Sequence, residues 1–415
     1  MNNKIYSEVN PLRFVITHKP GIEHGYITPD NIKEKIQING KLIDNPDFLL
    51  FDDIIQLKNA QKEHKEFHTI LHCFTDGNTY EFSDLLNYIL KDKSIKKHLI
   101  DECIDLELKN YNNQINSEDL INLDSKLLTE TLISGYSDNK KIFSHPIPNL
   151  IFTRDIAVII GKTILITWNK KNVRNRENIL SKYVFSNFKA FNDMNTYDFH
   201  KHHPDLSIEG GDILILDNKR VCIGISERTT LESIKKISKL IFKEGFKSIF
   251  AVNLPKKRSY MHLDTVFTLT SKNEALMYPP FLNDNTINEI HVFHKNKDYF
   301  ISNENLIDTL KNDGLKIKPI YCGGNSKIMQ NREQWTDGAN AFTLEPGKII
   351  CYECNEYTIK ELSKNNYEII TSKSYINNYK FYNNSKNKFA ITLDSSELVR
   401  GRGGPRCLTL PISRL

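Results

Sequence analysis

The segment 401–407, Gly-Arg-Gly-Gly-Pro-Arg-Cys, places a thiol where its reactive form can be favoured. Three glycines and a proline are incompatible with a helix interior or a regular strand, so a tight loop is predicted. Arg402 and Arg406 put two permanent cations near Cys407, and neighbouring cations favour the thiolate. The alternative is a free thiol that serves as a small buried hydrophobe. A short buried strand is predicted at 408–410.

Four polar residues elsewhere share one context, because each comes just before a predicted β-hairpin. Each hairpin consists of two apolar, β-branched runs separated by a short turn. A lone aspartate or histidine in such a place is usually a turn or surface residue. Their shared position nevertheless predicts a common site with Cys407. The residues, with the hairpins that follow them, are Asp155 (156–160 and 163–167), Glu209 (213–216 and 221–225), and His262 and Asp264 (266–269 and 275–278).

A thiolate, a histidine and three carboxylates supply a nucleophile, a proton shuttle and an anionic cage. Acyl transfer needs hydrogen-bond donors for an oxyanion, not a ring of negative charge. Two aspartates instead match the planar fork of a guanidinium through paired hydrogen bonds. The reaction that these groups fit is attack of the cysteine on the central carbon of a guanidinium, followed by attack of water.

A metal site is the alternative, because histidine and aspartate are common ligands. The run His262-Leu263-Asp264 offers few ligands, however, and the pair Cys351 and Cys354 has no second pair to complete a zinc site. We therefore predict neither a metal nor a cofactor.

The hairpins alternate with helical runs, so that one unit recurs roughly every 50 to 80 residues, which is typical of a closed radial array. With a first strand at 12–17 and a last one after Cys407, about five units can be counted. The predicted class is α/β, with the units facing a common centre. The remaining hairpin is predicted at 342–344 and 349–352, and the helices at 177–183, 230–242, 303–310 and 357–362.

A helical block interrupts this pattern early in the chain. Apolar residues recur at helical spacing from Ser83, a predicted N-cap, to Gly135, a predicted C-cap. We assign 83–144 to a helical insertion, and 1–82 with 145–415 to one catalytic body. In the segment before the block, we predict a polar surface loop at 30–45 and a helix at 60–70.

Composition excludes several classes of function. The 415 residues include 56 basic and 51 acidic side chains, a net charge of 56 − 51 = +5. Without a run of like charge, this balance argues against a nucleic-acid partner. No apolar run approaches a membrane span, and the first residues do not resemble a signal peptide. Seven scattered cysteines argue against a disulfide framework and favour the cytoplasm.

The chain also resembles the arginine deiminase family of the guanidino-modifying enzyme superfamily. The matching motifs follow the family's order over nearly the whole chain, so the resemblance is specific. They are 7–9 (Ser-Glu-Val), 50–53 (Leu-Phe-Asp-Asp), 60–64 (Ala-Gln-Lys-Glu-His), 148–149 (Pro-Asn), 152–155 (Phe-Thr-Arg-Asp), Arg174, 176–177 (Arg-Glu), 209–212 (Glu-Gly-Gly-Asp), 224–229 (Gly-Ile-Ser-Glu-Arg-Thr), 261–264 (Met-His-Leu-Asp), 322–324 (Cys-Gly-Gly), 332–335 (Arg-Glu-Gln-Trp), 337–340 (Asp-Gly-Ala-Asn) and the loop that ends at Cys407.

The resemblance implies a five-bladed, pseudo-symmetric α/β propeller with a helical insertion. It also implies hydrolysis of L-arginine to L-citrulline and ammonia through a covalent cysteine thiouronium intermediate. Cys407 would be the nucleophile, and His262 the acid and then the base. Asp155 and Asp264 would hold the guanidinium, while Glu209 would orient His262. The residues implied for the substrate carboxylate and its surroundings are Arg174 and Arg228, with Asn149 nearby and Arg402 on a gating loop.

L-Arginine is therefore the expected small-molecule partner, and a homo-oligomer, a dimer or larger, is the expected assembly. Three features depart from the family pattern: a polar insert near 33–47, a short tail that ends at Leu415, and Cys354 where the family often has arginine. The alternatives are an amidinotransferase or an arginine dihydrolase of the same superfamily, and a non-catalytic guanidine or amino-acid binding protein of the same fold.

Overall fold

Strands and helices alternate along most of the chain, which confirms the predicted α/β class. The structure, a computed structural model, describes residues 3–38, 40–283 and 289–415. The strands are β1 (Leu12–Thr17), β2 (Lys35–Ile38), β3 (Lys41–Asp44), β4 (Thr79–Glu81), β5 (Tyr136–Ser137), β6 (Lys140–Lys141), β7 (Ala157–Ile160), β8 (Thr163–Ile166), β9 (Asn195–Asp198), β10 (Ile213–Ile215), β11 (Arg220–Ile225), β12 (Ser248–Asn253), β13 (Phe267–Ser271), β14 (Glu274–Met277), β15 (Ile290–His294), β16 (Lys297–Ser302), β17 (Lys318–Tyr321), β18 (Phe342–Glu345), β19 (Lys348–Tyr352), β20 (Glu368–Thr371), β21 (Phe389–Leu393) and β22 (Leu410–Arg414).

The helices fill the connections between these strands, and those predicted at 60–70, 177–183, 230–242, 303–310 and 357–362 are all present. Within the described ranges, none is long and apolar enough to cross a membrane. The helices are α1 (Leu57–Phe74), α2 (Phe82–Ile89), α3 (Lys93–Tyr111), α4 (Glu118–Ile121), α5 (Ser125–Ser134), α6 (Asn175–Asn187), α7 (Phe199–His202), α8 (Leu231–Lys243), α9 (Pro280–Asn283), α10 (Leu306–Asn312), α11 (Lys327–Trp335), α12 (Glu356–Lys364), α13 (Ser372–Asn377) and α14 (Tyr379–Asn384).

One strand arrangement recurs in five separate sheets: an antiparallel pair extended by a parallel strand. Four of the antiparallel pairs are the hairpins predicted from the sequence. The fifth joins the first strand to the last, so that the two ends of the chain share one sheet. The five arrangements are β7–β8–β9, β10–β11–β12, β13–β14–β17, β18–β19–β21 and β22–β1–β4.

The hairpin strands form because their residues suit a sheet that is covered on both faces. Every residue of β7 and β8 is buried, and both strands are almost entirely isoleucine, leucine and valine. Such continuous apolar runs are typical of fully buried strands. Gly161, with φ of 59°, makes the tight turn between Ile160 and Thr163. The turn places Ala157 opposite Ile166, so the position of Asp155 ahead of the strand is fixed by the hairpin register.

The prediction of a loop at 30–45 is wrong in part, because β2 and β3 pair there as an antiparallel hairpin. The hairpin is exposed and, in the described part of the chain, joins no other strand. Its sequence signal was the alternation of isoleucine with a polar residue at 36–38, followed by a turn at Gly40, whose φ is +77°. A polar composition hid this alternation.

The helical block is present but is divided differently from the prediction. Helix α2 begins at Phe82 without a side-chain cap, so the prediction of Ser83 as N-cap is wrong. The side chains that do cap helices are Asp92 and Asp124, each of which accepts two backbone N–H groups. Gly135 ends α5 with φ of 81°, which confirms the predicted C-cap.

The apolar faces of this block continue into the core around β7 and β8. One contiguous cluster includes Leu86, Leu99 and Leu132 from the helices together with Ile159 and Leu165 from the strands. Helices α2, α3 and α5 are therefore packed against the catalytic body through shared apolar surface rather than through a flexible tether.

The last strand begins later than predicted. The sequence suggested a strand at 408–410, but β22 starts at Leu410 and continues to Arg414. Cys407 therefore lies in the turn before the strand. The pairing of β15 with β16, beyond the parallel strand β12, was not predicted at all.

Candidate active site

The nine residues predicted for the site lie together in the structure. Seven of them line one small enclosed cavity of about 20 Å³. The other two, Glu209 and Asp264, lie directly behind it, in contact with His262 and Cys407 respectively. The lining residues from the predicted set are Asn149, Asp155, Arg174, Arg228, His262, Arg402 and Cys407.

Short 3-10 turns ahead of the sheets bring these residues together. The turns Thr153–Asp155, Gly210–Asp212 and Leu263–Thr265 immediately precede β7, β10 and β13, and they pack against one another. Cys407 occupies the corresponding place before β22. A common position at the start of each sheet is therefore the physical reason why residues distant in sequence share one cavity.

His262 is held between two carboxylates. Its Nε2 lies 2.8 Å from Glu209 Oε2, and its Nδ1 lies 3.7 Å from Asp155 Oδ1. Burial alone would lower the pKa of the imidazole, but Asp155, the hydrogen bond to Glu209 and the nearby Asp212 raise it to about 9. The imidazole is therefore protonated at neutral pH and can donate a proton.

Cys407 is buried beside Asp264, with Sγ 3.6 Å from Oδ2. Burial raises the pKa of the thiol well above its ordinary value, the carboxylates of Asp264 and Asp155 raise it further, and Arg406 lowers it. The prediction that two arginines favour the thiolate is therefore wrong. Arg406 does lower the pKa of Cys407, but burial and the two carboxylates raise it by more. The guanidinium of Arg402 lies over the Trp335 ring instead, 3.7 Å from its centroid.

The charge of Arg406 is shared with two carboxylates. Its guanidinium donates to Asp264 Oδ2 at 2.7 Å and to Glu8 Oε1 at 2.8 Å. The other oxygen of Asp264, Oδ1, is buried and has no hydrogen-bond partner among the described residues. An unpartnered buried carboxylate oxygen is costly. Asp264 therefore has one oxygen fixed by the protein and one available to a ligand.

Asp155 is fixed in a similar way by Arg174. The guanidinium of Arg174 donates to Asp155 Oδ2 at 2.8 Å and to both oxygens of Glu177. The backbone N–H of Gly211 donates to Asp155 Oδ1 at 3.2 Å. Arg174 also donates to the carbonyl of Asn149. All three nitrogen atoms of the Arg174 guanidinium therefore donate hydrogen bonds to groups of the protein.

Arg228 has more capacity for a ligand. In the described part of the chain its side chain donates one hydrogen bond, to Glu209 Oε2 at 3.2 Å. Burial would raise the pKa of Glu209, but Arg228 and His262 hold it well below its ordinary value. Since Arg228 lines the cavity and retains unused N–H groups, it is the better placed of the two arginines to bind an external carboxylate.

Two lining residues carry a strained backbone. Leu50 has φ of 60° and Arg402 has φ of 63°, a region that non-glycine residues rarely adopt. The Nη1 group of Arg402 donates to the carbonyl of Trp335, and its Nε lies 3.6 Å from Asp52 Oδ2. Strain of this kind clusters at ligand clamps and switch segments. Both residues lie in loops that line the cavity.

Three residues at the site belong to the matching motifs, but the sequence analysis assigned them no role. They are Glu177, which fixes Arg174; Asp337, whose carboxylate is buried; and Asn340, which contacts Cys407. Burial raises the pKa of Asp337 to about 7, although Arg402 lowers it. A signal for Asn340 was available, because it precedes the fourth hairpin just as Asp155 and Glu209 precede theirs.

The site also meets the geometric condition for a metal centre. Three possible ligand atoms lie within 4.8 Å of one another, one each from Asp155, Glu209 and His262. The carboxylate atoms already have partners, however: Arg174 lies 2.8 Å from Asp155, and Arg228 lies 3.2 Å from Glu209. A metal ion would compete with two guanidinium groups. The donor set therefore fits proton transfer better than metal binding.

The mixed α/β fold of the chain belongs to the same fold class as that of a solved amidinotransferase. The structure of SxtG, an amidinotransferase from Microseira wollei in the saxitoxin biosynthetic pathway, matches all of this chain and 98% of its own, with a TM-score of 0.53. The two sequences are 12% identical, so the likeness concerns the fold alone.

Sequence comparison identifies the family within that class. The arginine deiminase family model matches residues 47–133 and 107–414. The arginine deiminase of Mycoplasma capricolum is 31% identical over 428 residues, which cover 99% of this chain and 96% of the relative. The arginine deiminase of Streptococcus agalactiae is 32% identical over 439 residues, with 99% and 97% covered. The chain belongs to the arginine deiminase family.

The backbone at Gly211 lies close to the side chains of His262 and Asp155, which allows the packing of the site to be tested. A Cβ at this position would lie 2.5 Å from His262 Nδ1 and 3.0 Å from Asp155 Oδ1. Gly211→Ala should therefore displace the imidazole and lower the free energy of unfolding by about 1–3 kcal/mol. Chemical denaturation measures the loss, and an NMR titration of His262 reports the displacement.

Gly25→Ala is the matched control, because its Cβ would meet only the end of the Ile22 side chain, at 3.3 Å. Its unfolding free energy should change by less than about 1 kcal/mol. If Gly211→Ala matched this control in both stability and histidine titration, the crowding at His262 would be refuted.

Proposed function

We propose that the protein hydrolyses L-arginine to L-citrulline and ammonia. The observation that carries this proposal is the convergence of a buried thiol, an imidazole and the carboxylate of Asp155 on one cavity, with the carboxylate of Asp264 beside the thiol, in a chain of this family. The relatives named above are arginine deiminases, and their similarity extends over nearly the whole of both sequences. The reaction is the one that a cysteine and an anionic cage suit chemically.

In the proposed complex, the substrate guanidinium lies between Asp155 and Asp264. Asp264 Oδ1 supplies the acceptor that lacks a partner within the described chain. Asp155 Oδ1 is held toward the cavity by the N–H of Gly211. Two carboxylates on opposite sides of a planar cation fix both its charge and its orientation, so the central carbon faces Cys407 Sγ.

The charge of the substrate also activates the nucleophile. Burial and nearby carboxylates raise the pKa of Cys407, so the free protein holds a neutral thiol. A guanidinium bound beside Asp155 and Asp264 cancels part of that negative potential and favours the thiolate. The nucleophile would then form where and when its target is present, which limits side reactions of a free thiolate.

The first half of the reaction forms a carbon–sulfur bond. The thiol of Cys407 releases its proton to solvent as the guanidinium binds, and Sγ then attacks the guanidinium carbon. Because the imidazole of His262 is cationic before attack, it gives its proton to one amino group, the carbon–nitrogen bond breaks, ammonia leaves, and His262 becomes neutral. The product is a positively charged thiouronium on Cys407, which remains within the carboxylate cage.

The second half breaks the carbon–sulfur bond. Water gives a proton to His262, now neutral, and its oxygen bonds to the same carbon. The carbon–sulfur bond breaks, the carbon keeps the oxygen as the urea carbonyl of citrulline, and the sulfur takes the remaining proton of the water, which restores the thiol. Glu209, 2.8 Å from His262, holds the ring in place and stabilises its charged form in both halves.

Entry of arginine requires the cavity to enlarge, because about 20 Å³ is far below the ~300 Å³ of small ligand pockets. Leu50 lines both this cavity and an open surface cavity of about 510 Å³. Displacing Leu50 and Arg402 would join the two. Their strained backbones are consistent with loops that take up a second conformation when substrate enters.

We further propose that the five sheets are the blades of a pseudo-symmetric α/β propeller. The recurrence of an antiparallel pair with a parallel third strand supports this arrangement. The residues 83–144 would form a helical insertion between the parts 1–82 and 145–415 of the propeller. The seven unpaired cysteines support a cytoplasmic location. A homo-oligomer is proposed from the family resemblance alone.

Product analysis with purified protein and free L-arginine is the deciding experiment. Equal amounts of citrulline and ammonia are expected. Ornithine with two equivalents of ammonia would indicate an arginine dihydrolase instead, and transfer to an added amine would indicate an amidinotransferase. If arginine bound without turnover, the chain would be a binding protein that has kept the fold.

Replacement of the nucleophile tests the covalent mechanism. Cys407→Ser should abolish turnover while the protein stays folded, because a hydroxyl is a far poorer nucleophile than a thiolate at neutral pH. Citrulline release and thermal unfolding measure the two effects. Cys354→Ser, at an exposed cysteine, is the control and should keep full activity. If the Cys407→Ser variant retained a tenth of wild-type activity, the assignment of the nucleophile would be wrong.

Metal removal tests the alternative use of the same side chains. The proposed reaction takes its nucleophile from Cys407 and neutralises its substrate with carboxylates, so prolonged chelation followed by desalting should leave the rate of citrulline release unchanged. A loss of rate that zinc or manganese restores would instead assign Asp155, Glu209 and His262 to a metal centre.

Specificity for the substrate carboxylate is tested with agmatine, which lacks that group. We expect L-arginine to be favoured about a thousandfold or more in kcat/KM, because a site built to pair a charged group discriminates strongly against its loss. Arg228→Ala should reduce kcat/KM for arginine far more than for agmatine. Similar kcat/KM values for the two substrates in the wild-type protein would point to a different natural guanidine.

A further inference from the structure

Asn340 makes two kinds of contact with the proposed nucleophile. Its Nδ2 donates to Cys407 Sγ at 3.3 Å, and its Oδ1 accepts the backbone N–H of Cys407 at 3.1 Å. The same amide binds two further groups: Nδ2 donates to the carbonyl of Asp264 at 3.0 Å, and Oδ1 accepts the N–H of Arg406 at 3.1 Å. The side chain is fully buried.

These four contacts fix the orientation of the amide. The oxygen must face the two backbone N–H groups, and the nitrogen must face the carbonyl of Asp264, because the flipped amide would set donor against donor. The second proton of Nδ2 is consequently directed at sulfur. A Cβ at Gly404 would lie 2.7 Å from both the Cβ and the carbonyl oxygen of Asn340, so the loop is packed tightly against this residue.

The contact from Asn340 becomes more important when the thiol loses its proton. As a thiol, Cys407 donates to Asp264 Oδ2 at 3.6 Å; as a thiolate, it faces that carboxylate as a like charge. Among the described residues, Asn340 is the side chain that donates a hydrogen bond to Sγ. Hydrogen bonds to an ionised acceptor are roughly twice as strong as those between neutral groups.

We propose that Asn340 is a catalytic residue that stabilises the Cys407 thiolate through its Nδ2–H group and holds the sulfur in position through its Oδ1 atom. This inference rests on the proposed function, since it assigns a role in the formation of the same nucleophile. Asn340 provides a neutral donor in a carboxylate-rich site, where a cation would be drawn into ion pairs with the groups that bind substrate. Oxyanion holes use neutral donors for the same reason.

Two substitutions separate the parts of this role. Asn340→Ala removes both the donor and the acceptor, whereas Asn340→Asp keeps an oxygen for the N–H groups of Cys407 and Arg406 but cannot donate to sulfur when ionised. Both should lower kcat about 100–1,000-fold with little change in KM, in the range observed when one oxyanion donor is removed. Should the alanine variant fail to fold, the aspartate variant, of nearly the same shape, still carries the test.

The direct measurement is the pH dependence of alkylation by iodoacetamide, followed by mass spectrometry of the peptide that contains Cys407. The midpoint for Cys407 should move up by at least about one pH unit in both variants. Asn383→Ala is the control: the side chain of this asparagine accepts a hydrogen bond from the hydroxyl of Tyr375 and donates one to the carbonyl of Cys73, but it lies outside the site. It should leave kcat and the alkylation midpoint unchanged.

The outcomes distinguish the two proposals. If wild-type protein released citrulline and the Asn340 variants lost stability without any shift in the alkylation midpoint, Asn340 would be merely structural and this inference would be overturned. If wild-type protein released no citrulline, the proposed function would fail, while a shifted midpoint would still support the contact between Asn340 and the thiolate.

Discussion

Buried ion pairs between arginines and carboxylates are the constraint on which the site depends. Arg406 joins Asp264 to Glu8, and Arg174 joins Asp155 to Glu177, all of them with little or no contact with solvent. Desolvation makes each charge costly alone, and removing one partner of a buried pair typically costs about 3–5 kcal/mol. Each arginine therefore holds a pair of carboxylates in place inside the protein. Their positions are fixed before any substrate enters, which is the condition for preorganised electrostatic catalysis.

The same network opposes ionisation of the nucleophile. Fixed carboxylates that suit a cationic substrate also raise the pKa of Cys407 and of His262. The protein thus holds a neutral thiol near a protonated imidazole, so the thiol must lose its proton before it can attack, while the surrounding carboxylates suit a cation. In the proposed mechanism, the substrate favours the thiolate through its own charge, and the amide of Asn340 does so through a hydrogen bond to sulfur. Binding and activation would then be coupled through one electrostatic field.

Much of this arrangement could be predicted from the sequence, because it follows from local patterns. The hairpins after Asp155, Glu209 and Asp264 are strongly apolar, and their shared position identified the site. The partners of the charged residues could not be predicted in this way. Glu8 and Arg406 are almost the whole chain apart, so nothing local indicates that Arg406 is neutralised rather than free to activate the thiol. Register and ion pairing depend on tertiary packing, which a single sequence does not encode in any short window.

The position of the proposed nucleophile depends on the sheet that joins the first strand to the last. Strand β22 pairs with β1, with Leu410 opposite Ile16, so the last strand completes a sheet that the first strand began. Cys407 lies three residues before that pairing, and the ion pair from Arg406 to Glu8 joins the same two segments. Cys407 is therefore in place only when these two segments are folded together. Loss of this sheet would separate Sγ from Asp264 and His262 even if every other sheet remained intact, so the proposed activity requires this pairing of β1 with β22.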